Sequence, residues 1–229
     1  MTLRQAPRRL DAGAEFCDSP LQCVLSGRFA MLWTMFFCNI AAGIAIIGFQ
    51  SPLIQSLYAR LDPTLDGRTL AAYGATLIAV SSLFNGLGRL WWGGCSDRLG
   101  RLRVFQIMLA TQIVVFAALP FTGNPWLFST LICYVLLCYD GGFGSMPAFI
   151  SDVFGPARMP LAYGCVLTAW SAAGVAGPQL VAFLKDRAGA RASVWAFVAA
   201  IAFLAVGLLA TLALAKTRSA RSPPCTAGP

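Results

Sequence analysis

Gly93-Gly-Cys-Ser-Asp97-Arg98-Leu-Gly100-Arg101-Leu-Arg103 is a short, cation-rich turn set between two long apolar stretches, residues 70–94 and 104–121. Glycines allow a helix to end against a neighbour and reverse within a few residues. Asp97 can sit at a helix N-terminus or meet an arginine of a partner bundle as a charge-assisted latch. Arg98, Arg101 and Arg103 suit the cytoplasmic surface of a membrane, where loops gather positive charge. The turn therefore predicts two membrane helices running antiparallel on either side of it.

The rest of the chain repeats the pattern. Crossing the hydrocarbon core of a bilayer takes roughly 20 apolar helical residues. Six stretches meet or approach that length: Phe29 to Tyr58, Leu70 to Gly94, Val104 to Phe121, Trp126 to Ile150, Leu161 to Leu184 and Ser193 to Ala215. They lack the alternation of barrel strands. Only 11% of the residues are charged and 58% are hydrophobic, with a mean hydropathy of +0.70. A soluble domain carries about a quarter charged residues. The predicted fold class is an all-α membrane protein, a bundle of six transmembrane helices.

The net charge of +8 would suggest a nucleic-acid partner if it lay on one surface patch. It is instead divided between helix ends. Arg4, Arg8, Arg9 and Arg28 precede the first span; Arg98, Arg101 and Arg103 follow the second; Arg158 follows the fourth; Lys216, Arg218 and Arg221 follow the sixth. These ends share one side of the membrane. Arg60, Arg68, Lys185, Arg187 and Arg191 fall on the other. The larger set marks the cytoplasm, so both termini are expected there and no nucleic acid is implied.

Residues 1–27 read as a flexible cytoplasmic segment, 28–215 as the six-helix bundle and 216–229 as a disordered cytoplasmic tail. Asp11, Glu15 and Asp18 interrupt what would be the n-region of a signal peptide. Eight cysteines form no CxxC pair and histidine is absent, so neither a metal site nor a cofactor is expected. No nucleophile–base pair points to an enzyme. Gly43, Gly48 and Pro52 in the first span, Gly141, Gly142, Gly144 and Pro147 in the fourth, and Gly174, Gly177 and Pro178 in the fifth are candidate breaks. Such positions either line a cavity or let helices pack closely.

With its Gly, Asp and Gly-Arg in register, the Gly93–Arg103 turn resembles the signature loop of the major facilitator superfamily. In that family the loop lies between the second and third helices and recurs between the eighth and ninth. Further strings are similar to the seventh, eighth, tenth and eleventh helices of the oxalate/formate antiporter family: Phe36-Phe-Cys-Asn39-Ile-Ala-Ala-Gly43, Asn85-Gly-Leu-Gly-Arg89, Gly141-Gly-Phe-Gly-Ser-Met-Pro147 with Asp152-Val-Phe-Gly155, and Leu167-Thr-Ala-Trp-Ser-Ala-Ala-Gly174. Together they cover roughly residues 26 to 215. The resemblance implies the C-terminal half of the major facilitator fold, with a solute cavity shared between two bundles. No apolar stretch before Arg28 supplies the other half. The expected partners are the bilayer, a small organic anion and an N-terminal six-helix bundle. The expected location is a bacterial inner membrane.

Arg89 is the leading site candidate. It precedes Asp97 by eight residues, about 12 Å deeper at 1.5 Å per residue, where a lipid-facing arginine would cost several kcal/mol. Its planar fork suits a carboxylate, and the resemblance places it where an eighth-helix arginine contributes to anion binding. The alternative is a snorkelling or structurally paired arginine. Asp140, in a position where family members often carry glycine, is open to three roles: pairing with Arg89, binding a coupling proton, or rejecting anions. Asp152 is expected in a structural loop contact. Asn39, Gln50, Tyr139 and Trp170 are further candidate cavity residues, and packing glue between helices is the commoner role for any one of them. Gly93, Asp97, Arg98, Gly100, Arg101 and Arg103 are expected to form the gating or structural loop.

Oxalate-transporting relatives place a lysine in the stretch matching Thr168 to Ser171, where this chain has Trp170. One cavity cation favours a monocarboxylate over a dicarboxylate. The expected function is alternating-access transport of a small organic anion. A transport-inactive fragment or membrane interaction partner, and a facilitator for another solute, are the rival readings.

Overall fold

The computed structural model describes residues 20–219. The helices are α1 Pro20–Val24, α2 Gly27–Leu61, α3 Gly67–Leu99, α4 Arg101–Ala118, α5 Pro125–Phe154, α6 Met159–Val166, α7 Thr168–Ala188 and α8 Ala192–Ser219. Single 3-10 turns follow α4 at Leu119–Phe121 and α7 at Gly189–Arg191. No strand occurs among the described residues. Among the described residues, six helical spans are long and apolar enough to cross a membrane: α2, α3, α4 with its 3-10 turn, α5, α6 with α7, and α8. The six-helix expectation is met.

Short polar caps set the span boundaries. Ser26 caps α2 by accepting from the Phe29 N–H at 3.2 Å, and Asp66 caps α3 by accepting from Thr69 at 3.2 Å. Asn124 accepts from Trp126 at 2.8 Å, with Pro125 at the first position of α5. These side chains satisfy amides that have no partner within the helix. The turn between α2 and α3 is held by Asp62, which accepts from the Thr64 amide at 3.0 Å and its hydroxyl at 2.6 Å. The Thr64 and Thr69 hydrogen bonds hold the Asp62 and Asp66 carboxyls below the usual carboxylate range. A lowered carboxyl favours the folded form above its unfolded value and loses that contribution as pH falls through the folded one. These caps therefore loosen only in acid.

The long helices α2 and α5 form the buried centre, while α3 and α7 keep most of their surface open. Phe36 of α2, Phe105 and Phe116 of α4 and Phe149 of α5 are fully buried in the core. Close approaches come at small residues. A Cβ on Gly207 of α8 would lie 2.9 Å from Cβ of Cys38 on α2, and one on Gly177 of α7 would lie 2.6 Å from the Ile44 side chain.

Two expectations are revised. The helices run unbroken through Pro52, Pro147 and the Gly177–Pro178 pair. The fifth span breaks at Leu167 instead, between α6 and α7. There the Thr168 hydroxyl donates to the Cys165 carbonyl at 2.7 Å and accepts from the Trp33 indole at 2.9 Å. A hydroxyl that back-bonds within a turn competes with the helical ladder. Second, residues 20–24, read as part of a flexible lead-in, form α1, and Cys23 packs into the core. Residues 1–19 and 220–229 lie outside the described residues, and with them most of the lead-in and tail.

Candidate functional site

The site begins with a helix contact. Gly88 of α3 sits against the Leu137 carbonyl of α5, and a Cβ on Gly144 would lie 2.7 Å from the Arg89 carbonyl. Only glycine leaves room for the two backbones at these points. The contact sets Arg89 level with Asp140. The guanidinium donates from Nε to Oδ2 at 2.6 Å and from Nη2 to Oδ1 at 2.9 Å. This bidentate geometry is the strongest form of carboxylate recognition by arginine. The two side chains differ in surroundings: Asp140 is 6% exposed and Arg89 60% exposed. The acid lies behind the cation, and the cation faces an open surface of the bundle.

Aromatic groups line that surface. The guanidinium carbon lies 5.7 Å from the centre of the Phe143 ring. Phe143 meets Tyr139 at 5.9 Å and Trp170 edge-on at 6.0 Å. Tyr139 and Tyr163 lie close enough to interact electrostatically with Arg89. Of the residues expected in the cavity, Arg89, Asp140, Tyr139 and Trp170 are thus brought together. Phe143 and Tyr163 were not anticipated. Phe143 had a faint signal, being one turn beyond Asp140 in a string already singled out. Tyr163 had none, because α6 reads as an ordinary apolar helix.

Asn39 and Gln50 lie elsewhere, as interhelical joints. Asn39 is fully buried; its amide donates to the Cys138 and Tyr139 carbonyls, both at 3.3 Å, and accepts from Gln112 at 2.8 Å. It ties α2 to α4 and α5. Gln50 is buried and accepts from the Ser81 hydroxyl at 3.0 Å, joining α2 to α3. A polar side chain between apolar helices must find a partner, and here the partners are neighbouring helices. The glycine cluster has a similar role: Gly141 packs on Trp92, Gly142 on Asn39 and Phe36, and Gly144 on the backbone at Arg89.

The loop Gly93–Arg103 closes on its own bundle. Gly100 has φ of 91°, a conformation that L side chains rarely adopt, and it ends α3 where α4 begins. Gly93 and Gly94 have open space where a Cβ would go, so the turn depends on Gly100. Arg101 is largely covered, bonds Asp97 at 2.6 Å, reaches Asp152 at 3.5 Å and donates to the Ser96 hydroxyl. With Asp97 and Asp152, Arg101 forms a clasp joining the ends of α3, α4 and α5. Asp152 sits in the loop contact expected of it. Arg98 and Arg103 are exposed.

Residues 32–227 match the family described as the Major Facilitator Superfamily. The chain is 27% identical to the oxalate:formate antiporter of Oxalobacter formigenes over 165 residues, 71% of this chain and 37% of that protein. It is 31% identical over 140 residues to the uncharacterized MFS-type transporter YhjX of Escherichia coli (strain K12), covering 61% of this chain and 33% of that one. It is 29% identical over 150 residues to apicoplast pyruvate carrier 1 of Toxoplasma gondii, covering 62% and 26%. The chain spans about a third of the length of these relatives, or less.

Proposed function

Because the chain belongs to the Major Facilitator Superfamily, a family of membrane transporters for small solutes, we propose that it contributes one six-helix half of a carrier for small monocarboxylates. The observation that carries this reading is Arg89: a guanidinium within the α3 span, ten residues before its end at Leu99, 60% exposed on an aromatic-lined face. In lipid such a charge is costly; in a solute cavity it is an anion site. The aromatic wall suits a small organic body attached to one carboxylate. Oxalate and formate are named for one relative and pyruvate for another; with one cavity cation, formate and pyruvate are the substrates of choice here. Transport proceeds by alternating access, a second bundle closing over the face that carries Arg89. The share of the relatives' length that the chain spans supports the need for that second bundle.

Reconstitution into proteoliposomes tests the reading. The chain alone is expected to show no saturable formate or pyruvate exchange. Exchange is expected once an N-terminal six-helix bundle, such as that of the Oxalobacter formigenes antiporter, is supplied, and is lost with Arg89→Ala. Saturable exchange by a demonstrably monomeric chain overturns the half-carrier reading, and exchange that survives Arg89→Ala overturns the site. Failure of every bundle combination favours a transport-inactive membrane fragment.

Both termini are assigned to the cytoplasm of a bacterial inner membrane on the charge bias between helix ends. Cysteine labelling checks this. Cys17 and Cys225, outside the described residues, should label from the cytoplasmic side, and cysteines placed in loops 62–68 and 186–191 from the outside. Outward labelling of either terminal cysteine reverses the orientation.

A further inference from the structure

The end of α7 assigned to the outer side is more basic than that place calls for. Residues 185–191 carry Lys185, Arg187 and Arg191 against one acid, Asp186. Basic residues in a short outer loop run against the bias that orients membrane helices. Among the described residues no carboxylate pairs with any of the three cations. Arg187 rests over the Phe183 ring of its own helix at 5.2 Å. Lys185 reaches across to α2 instead, and its ammonium lies 5.0 Å from the centre of the Phe49 ring. An ammonium is attracted to an aromatic face, so the side chain is held toward α2 while remaining exposed.

That direction leads to the arginine site. Trp170, Gly174, Pro178, Val181 and Lys185 follow one another at spacings of four, four, three and four along the unbroken helix α7. Such spacings put them on one helix face. The face begins beside Arg89, because Trp170 packs on Phe143 and the guanidinium lies over the Phe143 ring. Toward its outer end, Ile44, Ile47 and Gly48 of α2 and Pro178, Val181 and Lys185 of α7 line a groove of about 400 Å³. These walls are apolar apart from the lysine. A carboxylate held on Lys185 therefore finds apolar surface for its organic body on the side that leads to Arg89.

We propose that Lys185 and this groove form an outer capture site for the transported monocarboxylate. The ammonium takes the carboxylate, the groove takes the short organic body, and the anion then passes along the α7 face to Arg89. This rests on the monocarboxylate reading and on the orientation given above, and adds a second site on the path of the same solute. Lys185 lies about 22 Å beyond Trp170, at 1.5 Å per residue. No small dicarboxylate bridges that distance, so the two cations act in sequence and the preference for a single carboxylate stands. Exposed charges are screened beyond about 8 Å at physiological salt, so Lys185 leaves the affinity at Arg89 untouched. It acts on arrival, as a cationic cleft entrance does for an anionic ligand. The lysine of oxalate-transporting relatives is a different position, since it matches Thr168 to Ser171 at the opposite end of α7.

Lysine occurs only at positions 185 and 216, which makes the test direct. With isotopically labelled lysine, magnetic resonance of the full chain in nanodiscs reads both side chains. Formate or pyruvate should shift the Lys185 signal saturably and leave Lys216, at the other end of the bundle, as an internal reference. The shift should exceed that from chloride at equal concentration and persist in the Arg89→Ala/Asp140→Asn chain. In the carrier completed with an N-terminal bundle, Lys185→Gln should lower kcat/KM for outside anion about tenfold. It should flatten the fall of that constant with ionic strength and leave kcat and the inside KM unchanged, while Lys185→Arg keeps most of the wild-type rate. A Lys185 signal that moves no more than Lys216, or equally with chloride, overturns the capture site and leaves the Arg89 reading standing. Equal loss of kcat/KM from both sides does the same, since a merely structural lysine would produce it. Exchange that survives Arg89→Ala with the Lys185 shift intact overturns the Arg89 site alone.

Discussion

Replacing Arg89 by alanine is expected to destabilise the folded chain by about 2–3 kcal/mol, and adding Asp140→Asn to the same chain to restore most of the loss. Removing one partner of a buried ion pair typically costs about 3–5 kcal/mol, because the remaining charge is left buried and uncompensated. The lower figure applies because Arg89 is 60% exposed, and exposed pairs contribute far less than buried ones. Asp140, at 6% exposure, has no other cation within its hydrogen bonds. The double variant removes the stranded charge along with its partner. Unfolding of the four chains in mixed micelles gives the coupling energy as a thermodynamic cycle. Equal loss in the single and double variants would mean that Asp140 is not held by Arg89.

Gly88→Ala is expected to cost about 3 kcal/mol, although it adds only one methyl group. Overpacking a close contact costs about 1–3 kcal/mol when side chains can shift. Here the methyl meets the carbonyl, carbonyl carbon and Cα of Leu137. Backbone inside a helix cannot rotate aside as a side chain can, so α3 must move away from α5. Two residues earlier, a methyl group on Gly86 would meet nothing within 4 Å. Gly86→Ala should therefore be neutral or gain up to about 1 kcal/mol from helix propensity. The same micelle unfolding separates the two. Gly88→Ala should also weaken anion binding, since the contact that aligns Arg89 with Asp140 is lost. Equal stability of the two variants would mean that the glycine contact does not hold the site together.

The spans were legible because membrane insertion is a local matter: apolar residues summed along some 20 positions either match the bilayer or do not. Ser26, Asp66, Asn124 and Gly100 mark helix ends through bonds to residues within a turn or a conformation of their own. Arg89 was legible for a related reason, since a charge inside an apolar run has few places to go. Which way each helix faces was not legible. Lipid and a packed bundle interior are equally apolar, so no polar stripe reports the orientation of a membrane helix.

Asn39 and Gln50 show the consequence. As polar residues in apolar spans they could line a cavity or glue helices together, and the packing of α2 against α3, α4 and α5 makes them joints. The glycines of α5 could equally have broken the helix or packed it, and only the positions of Trp92, Asn39 and the Arg89 backbone decide for packing. Phe143 and Tyr163 join the site through the arrangement of α5 and α6, which no spacing encodes. By itself the sequence determined six spans, their ends and a charge that needed a destination. The tertiary structure decided the destination, Asp140, because a bidentate bond depends on two helices meeting at one depth and one rotation, and both are properties of the pair.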